Sequence, residues 1–322
     1  MRAARVTRLD GPTSVTVDEV DEPVAGDGEL VIDVHEAGVN FPDVLLTKGL
    51  YQYKPDLPFV LGSECAGVVR SAPAGSAFHA GDRVAAFTMN GAFAEVVTVG
   101  EPFVFPLPDS VSFTQAAALP MNYLTVHFAL VRRGRLQPGE TVLVHGAAGG
   151  IGTAAIQLAK ALGARVIAVV STPEKGEVAT AAGADDVVLA DGFLEQVRAL
   201  TAGRGVDVIV DPVGGERFTD SLRSLALEGR ILVIGFTAGE IPTVKVNRLL
   251  LGNTSVVGVA WGAFWTQGTE YLREQWADLV PLLEDGRLDP PISSSHDLSD
   301  VVEALREIDE RRAAGKVTLA IH

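Results

Sequence analysis

At 322 residues, with 47% hydrophobic and 21% charged side chains, the chain is long enough for two domains that each bury a core. Its net charge of −15 repels phosphate backbones and anionic lipid, whose binding works by releasing counterions to Lys and Arg, so nucleic acid is a disfavoured partner. The longest apolar run, Val256 to Trp265, is broken by glycine and falls well short of the roughly twenty residues of a membrane span; the sequence reads as a soluble protein with no membrane partner.

The opening MRAARVTRLDG carries arginines but no apolar stretch behind them, so it does not read as a secretion signal, and cytoplasm is the expected compartment. Up to about residue 140, β-rich runs at Val15–Val20, Leu30–His35, Ala66–Arg70, Arg83–Phe87 and Phe93–Val99 are separated by Gly and Pro. That is the pattern of a β domain with many turns. Cys65, the single cysteine, can form no internal disulfide and reads as a small buried residue. Arg132, Arg133 and Arg135 form a basic cluster that reads as a solvated turn.

Beyond this point apolar strands alternate with helical patterns, the signature of βαβ units and a parallel sheet. Strands are predicted at Thr141–His145, Arg165–Val170, Asp186–Leu189, Val206–Val210, Arg230–Ile234 and Ser255–Val259. Ile151, Ala155, Leu158, Ala159 and Leu162 give the segment after Gly150 one apolar helical face, and Gly163 closes it as a C-terminal cap. Further helices are expected over 174–182, 193–202 and 215–227, then at Tyr271–Leu283 and Leu298–Ala314. The chain ends on an apolar strand, Val317–Ile321. A lone strand there cannot extend a parallel sheet, so it is expected to rejoin the β domain, making the sheet domain an insertion.

The loop from Gly146 to Gly152, GAAGGIG, stands between a strand and a helix, where a dinucleotide fingerprint must lie. Ala147 takes the first glycine position of G-x-G-x-x-G, and Gly149 and Gly152 fill the other two. Gly149 lets the backbone approach the pyrophosphate, and Gly152 lets the helix pack close to the sheet. The helix N-terminus, reached through Ala148, Gly150 and Ile151, then offers N–H groups and a partial positive charge to phosphate. NAD-selective sites place an acid about twenty residues on, for the ribose 2′-hydroxyl. Here the next strand ends in Ser171 and Thr172, with Lys175 following. Hydroxyls and an ammonium suit a 2′-phosphate, so the expected cofactor is NADPH.

Five segments now carry a resemblance: Ala37-Gly-Val-Asn-Phe-Pro-Asp43, Leu61-Gly-Ser-Glu-Cys-Ala-Gly67, Gly81-Asp-Arg-Val84, Ala116-Ala-Ala-Leu-Pro120 and His145 to Gly152. In order and spacing the chain resembles the medium-chain dehydrogenase/reductase superfamily along essentially its whole length. It is most similar to the quinone oxidoreductase (zeta-crystallin-like) branch. The resemblance implies an α/β fold: a GroES-like β domain plus an inserted doubly wound Rossmann domain. The implied boundaries are 1–122 for the substrate and catalytic domain, 123–262 for the NADPH-binding domain and 263–322 for the return. It also implies a homodimer, with Ser255–Val259 as a pairing edge.

At the positions of the family's catalytic zinc ligands this chain has Asn40, Ser63 and Met121, with Glu64 beside Ser63. Amide and hydroxyl oxygens are weak zinc ligands and a thioether prefers softer metals, so no metal is expected. Without a Lewis acid, alcohol oxidation is disfavoured and an acceptor already poised for hydride, a quinone or a conjugated enone, is the implied substrate.

By the same resemblance Tyr51, in Gly49-Leu50-Tyr51, is the candidate proton donor, with Tyr53 as its neighbour. Asn40 and Asp43 match the pair lining the nicotinamide pocket. Leu45 stands where quinone reductases of this branch often carry a second tyrosine. Thr125, with Asn122 beside it, matches a residue near the nicotinamide, as do Gly235 and Phe236 after one late strand and Val259 and Trp261 after the next. Two other functions use the same residues: an NADPH-dependent reductase of enoyl thioesters or alkenals, and a non-catalytic, crystallin-like NADPH-binding protein.

Overall fold

Residues 1–322 are described by a computed structural model. The first part of the chain is β-rich. Its strands are β1 (Arg2–Val6), β2 (Val15–Glu19), β3 (Glu29–Val39), β4 (Phe59–Val60), β5 (Glu64–Ser71), β6 (Arg83–Phe87), β7 (Val96–Gly100) and β8 (Val104–Pro106). Helix α1 (Phe41–Thr47) follows β3 directly; α2 (Phe113–Ala116) and α3 (Pro120–His127) close the segment. α1 was not read from the sequence, because its seven residues are too few to display a helical period. Asn40 is its N-cap, and the Asp43 carboxylate reaches back to accept the Asn40 backbone N–H at 2.8 Å.

A six-stranded parallel sheet follows. It is built from β9 (Thr141–His145), β10 (Arg165–Val170), β11 (Asp186–Leu189), β12 (Val206–Asp211), β13 (Leu225–Val233) and β14 (Ser255–Gly258). The intervening helices are α4 (Gly150–Ala161), α5 (Pro173–Ala181), α6 (Phe193–Leu200), α7 (Phe218–Ser224) and α8 (Asn247–Gly252). The sheet order is β11-β10-β9-β12-β13-β14, the doubly wound order of a dinucleotide-binding domain. Leu143, Ile167, Val169, Ile209 and Ile231 are fully buried in its core; each such side chain contributes roughly 1.5–3 kcal/mol. The helix expected over 215–227 is shorter, because the chain turns extended at Leu225 to pair Val206 with Leu225.

After α9 (Trp261–Trp265), the chain forms α10 (Glu270–Glu284), β15 (Ile292–Asp297), α11 (Val301–Asp309) and β16 (Lys316–Ala320). β16 pairs antiparallel with β3 and parallel with β15, completing a seven-stranded sheet of order β15-β16-β3-β5-β6-β8, with β7 also on β3. The C-terminal strand is therefore not alone: β15 lies beside it. The last helix ends at Asp309, short of the expected Ala314. Two compact units result. The β unit comprises Met1–Met121, Thr269–Glu284 and Ile292–His322; the parallel-sheet unit comprises Asn122–Gly268 and Asp285–Pro291. No helix is long and apolar enough to cross a membrane.

Candidate active site

In the parallel-sheet unit β9 and β12 are neighbours at the point where the strand order reverses. Sheets of this kind bind ligands in the crevice beyond the carboxyl ends of such a pair. The loop from Gly146 leads there into α4. A Cβ on Gly152 would stand 2.3 Å from the Gly146 carbonyl oxygen, so only glycine lets α4 close on its own loop. At Gly149 the nearest atom to an added Cβ would be 3.5 Å away, which leaves that side of the loop open. Ala147 and Ala148 are buried, while Gly150 and Ile151 are half-buried at the first turn, whose N–H groups have no partner within the helix. The arrangement fits a pyrophosphate at a helix N-terminus.

Two polar groups at the same strand ends escaped sequence reasoning. His145 ends β9; its Nε2 shares a 2.8 Å hydrogen bond with Ser221 Oγ, and its ring meets Phe193 edge-on at 5.0 Å. Burial pushes its pKa down to about 4, so the ring is neutral at pH 7. Asp211 ends β12, and its Oδ1 accepts from the N–H groups of Val213 and Gly214 at 2.9 Å each. His145 Nδ1 and Asp211 Oδ2 are both buried without a partner. The one signal available for either was its place at the end of an apolar strand.

At the end of β10, Ser171 and Thr172 are exposed and Lys175 is half-buried. Thr172 caps α5, its hydroxyl accepting the Lys175 N–H at 3.4 Å. An acid also stands here. Glu174 is held below the usual carboxylate range by its own backbone N–H and then by the Thr172 hydroxyl. Thr125 is half-buried on α3; Gly235 and Phe236 follow β13, with Phe236 37% exposed. Val259 and Trp261 are buried just past β14, where the Val259 N–H bonds the Val233 carbonyl at 2.9 Å. Arg132 and Arg133 are not simply solvated: Arg132 lies over the Phe264 ring at 4.5 Å, and Arg133 Nε donates to the Gly258 carbonyl at 2.9 Å.

In the β unit, the positions matching zinc ligands do come together. Asn40 Nδ2 donates to Glu64 Oε1 at 2.7 Å and to Ser63 Oγ at 3.4 Å, while the Met121 N–H donates to Glu64 Oε2 at 2.8 Å. A further member was missed in the sequence. Lys316, the first residue of β16, donates from Nζ to Asn40 Oδ1 at 2.6 Å and pairs with Glu64 Oε1. Lys316 is 3% exposed and Glu64 0%. A cationic side chain opening an apolar strand, Lys316-Val-Thr-Leu-Ala320, was the available signal. Gly38 makes room for it: a Cβ there would stand 2.1 Å from the Ala117 carbonyl and 2.9 Å from Lys316 Cε. An amide and a hydroxyl arranged around an ammonium–carboxylate pair do not fit a zinc ion.

Asp43 lies beside this cluster, fully buried, with Oδ1 unpartnered. Burial pushes its carboxyl up to about 7, against the opposing pull of the Asn40 N–H and the Lys316 charge. Tyr51 is half-buried; burial, and then the Asp43 charge, hold its phenol above the ordinary value. It keeps its proton at neutral pH. Asn40 is committed at both ends of its amide, and the Tyr53 hydroxyl donates to Asn90 Oδ1 at 3.0 Å. Tyr51 is thus the uncommitted donor of the group. Leu50, Leu57 and Met89 are 69%, 45% and 39% exposed, on the two loops that the Tyr53–Asn90 bond joins. Cys65 is buried, and burial pushes its thiol up to about 12, so it is unreactive.

Residues 26–109 match the family model of the alcohol dehydrogenase GroES-like domain, and residues 150–285 that of the zinc-binding dehydrogenases. The chain is 39% identical to the quinone oxidoreductase-like protein 2 of Rattus norvegicus, over 99% of this chain and 92% of the relative. A crystal structure of a "probable oxidoreductase" from Mycobacterium abscessus is 47% identical, with a TM-score of 0.92 over 100% of this chain and 99% of the other. The Escherichia coli quinone oxidoreductase, solved in complex with NADPH, is 30% identical, with a TM-score of 0.92 over 100% of both chains.

Proposed function

This chain belongs to the zinc-independent quinone oxidoreductase branch of the medium-chain dehydrogenase/reductase superfamily, and from that premise we propose that it transfers hydride from NADPH to a quinone or a conjugated enone. The observation that carries the reading is Tyr51: an uncommitted phenol, kept protonated, on a loop that also bears the exposed Leu50 and Leu57. The bound NADPH supplies the hydride; the protein positions both reactants and manages the proton.

The first turn of α4, with Gly149 and Gly150, holds the pyrophosphate, and Ser171, Thr172 and Lys175 receive the 2′-phosphate. Thr125, Gly235, Phe236, Val259 and Trp261 line the nicotinamide end. Leu50, Leu57 and Met89 dry the acceptor's surroundings, which strengthens every hydrogen bond made there. Tyr51 donates to the acceptor oxygen as negative charge develops on it. Asn40 forms the floor on which that oxygen rests. Such acceptors need no Lewis acid, because a quinone gains aromaticity on reduction and an enone is electrophilic by conjugation.

The parallel-sheet unit carries the second part of the reading, a homodimer. β14 is an edge strand, and Leu250 and Leu251 in the helix just before it are 77% and 81% exposed. A second copy of the chain is the partner that would cover them.

Stopped-flow oxidation of NADPH with 9,10-phenanthrenequinone, an alkenal and crotonyl-CoA tests the reaction. Turnover with the quinone or alkenal is expected. Turnover confined to crotonyl-CoA would make the chain an enoyl-thioester reductase, and NADPH binding without turnover on any acceptor would make it a binding protein.

A further inference from the structure

The buried Lys316 has no part in the reaction as described so far, yet it is bonded directly to a residue of the site floor. We propose that Lys316 is a positioning residue for this reduction, one that fixes the orientation of the Asn40 amide and places the only ammonium of the cluster beneath the acceptor. The inference rests on the function proposed above.

The geometry leaves one arrangement. Lys316 Nζ donates at 2.6 Å to Asn40 Oδ1, so that oxygen is the end of the amide turned toward β16. The amide nitrogen must then face Glu64 Oε1 at 2.7 Å and Ser63 Oγ at 3.4 Å. Reversing the amide would set its NH₂ against the ammonium and its oxygen against the Glu64 carboxylate. Glu64 is itself locked, with Oε2 accepting the Met121 N–H at 2.8 Å. Lys316, Asn40 and Glu64 are 3%, 6% and 0% exposed, so water is not available to replace any of these partners. Gly38 packs against the pair so closely that no side chain fits there.

A chain this buried and this saturated behaves as a rigid template. Its cation also matters by position. Hydride transfer puts negative charge on the acceptor oxygen, and a fixed, dry positive charge nearby lowers that barrier without reorganising. Among the positions that match the superfamily's zinc ligands, this chain places an ammonium held by Glu64 and Asn40. The ammonium is shielded by the amide and does not touch the acceptor. Its effect on turnover is therefore indirect.

The test is the double variant Lys316→Met/Glu64→Gln, which removes both buried charges together and so avoids stranding one of them. Expected are unchanged NADPH affinity, an acceptor KM within about threefold, and a kcat for quinone reduction lower by about tenfold or more. The deuterium isotope effect with NADPD should rise at the same time, because hydride transfer becomes more fully rate-limiting. A merely structural role would lower Tm and leave kcat per NADPH-binding site and the isotope effect where they were; that result overturns the proposal. Lys316→Arg, which keeps the charge pair but replaces the compact ammonium by a planar fork, serves if the double variant does not fold. It should lose kcat by about threefold or more with KM retained, and a wild-type kcat would equally overturn the inference. If the wild-type protein itself turns over no acceptor, the proposed function fails, and that outcome is distinct from an active wild type with an equally active variant.

Discussion

Asp43 carries the most consequential ionisation in the β unit. Burial raises its carboxyl from the ordinary 3.8 to about 7, so the native state holds a proton that the unfolded chain has released. Its stabilising contribution is complete below pH 3.8 and is lost as pH rises through about 7. At roughly 1.4 kcal/mol per pH unit the upper limit is about 4 kcal/mol. Asp43→Asn is expected to flatten the dependence of Tm on pH between about 4 and 7, read by calorimetry across that range; an unchanged slope would move the effect to another group. Tyr51 is the second residue, the one on which the proposed reduction turns. Tyr51→Phe removes the proposed proton donor and keeps the ring, so quinone kcat should fall by about tenfold or more while NADPH affinity holds. Equal kcat would reduce Tyr51 to a wall of the pocket.

At the scale of elements, the junction of β10 and α5 is where the proposed preference for NADPH is tested. Lys175→Ala should weaken NADPH binding by about tenfold and leave NADH nearly unchanged, since an ammonium attracts a 2′-phosphate far more strongly than a neutral ribose hydroxyl. Equal losses for both cofactors would sink the assignment. Glu174 sits one residue earlier and opposes that phosphate, so Glu174→Gln is expected to tighten NADPH about two- to fivefold, less at high salt because the residue is exposed; fluorescence titration of both cofactors reads each effect. The same elements show where a sequence is readable. β9 and β10 coincide with their predicted spans, because strands covered on both faces become continuous apolar runs. β15 went unseen: Ile292-Ser-Ser-Ser-His-Asp297 has little strand character of its own and becomes extended by pairing with β16. The start of β13 was read as helix for a related reason, since Leu225 is extended through its partner Val206.

At the scale of the whole molecule, self-association is the property most open to measurement. Leu250→Lys/Leu251→Lys places two charges on the exposed face before β14 and should shift the protein from dimer to monomer in analytical ultracentrifugation. A wild-type monomer, or an undisturbed dimer in the variant, would place the interface elsewhere or remove it. The sequence by itself determined the β-rich beginning, the parallel sheet, the glycine loop and the loss of good zinc ligands at Asn40, Ser63 and Met121. Each of these is written in residue types at short spacing, where periodicity and turn chemistry act. Tertiary structure alone decided what stands at those vacated positions. Lys316 and Glu64 lie 252 residues apart in the chain, and neither carries a local mark of the other. Only the antiparallel pairing of β16 with β3 brings the ammonium into contact with the carboxylate. The unpartnered oxygen of Asp43 and the uncommitted hydroxyl of Tyr51 follow the same rule. Burial, and the pKa it displaces, belong to the packed chain and not to any segment of it.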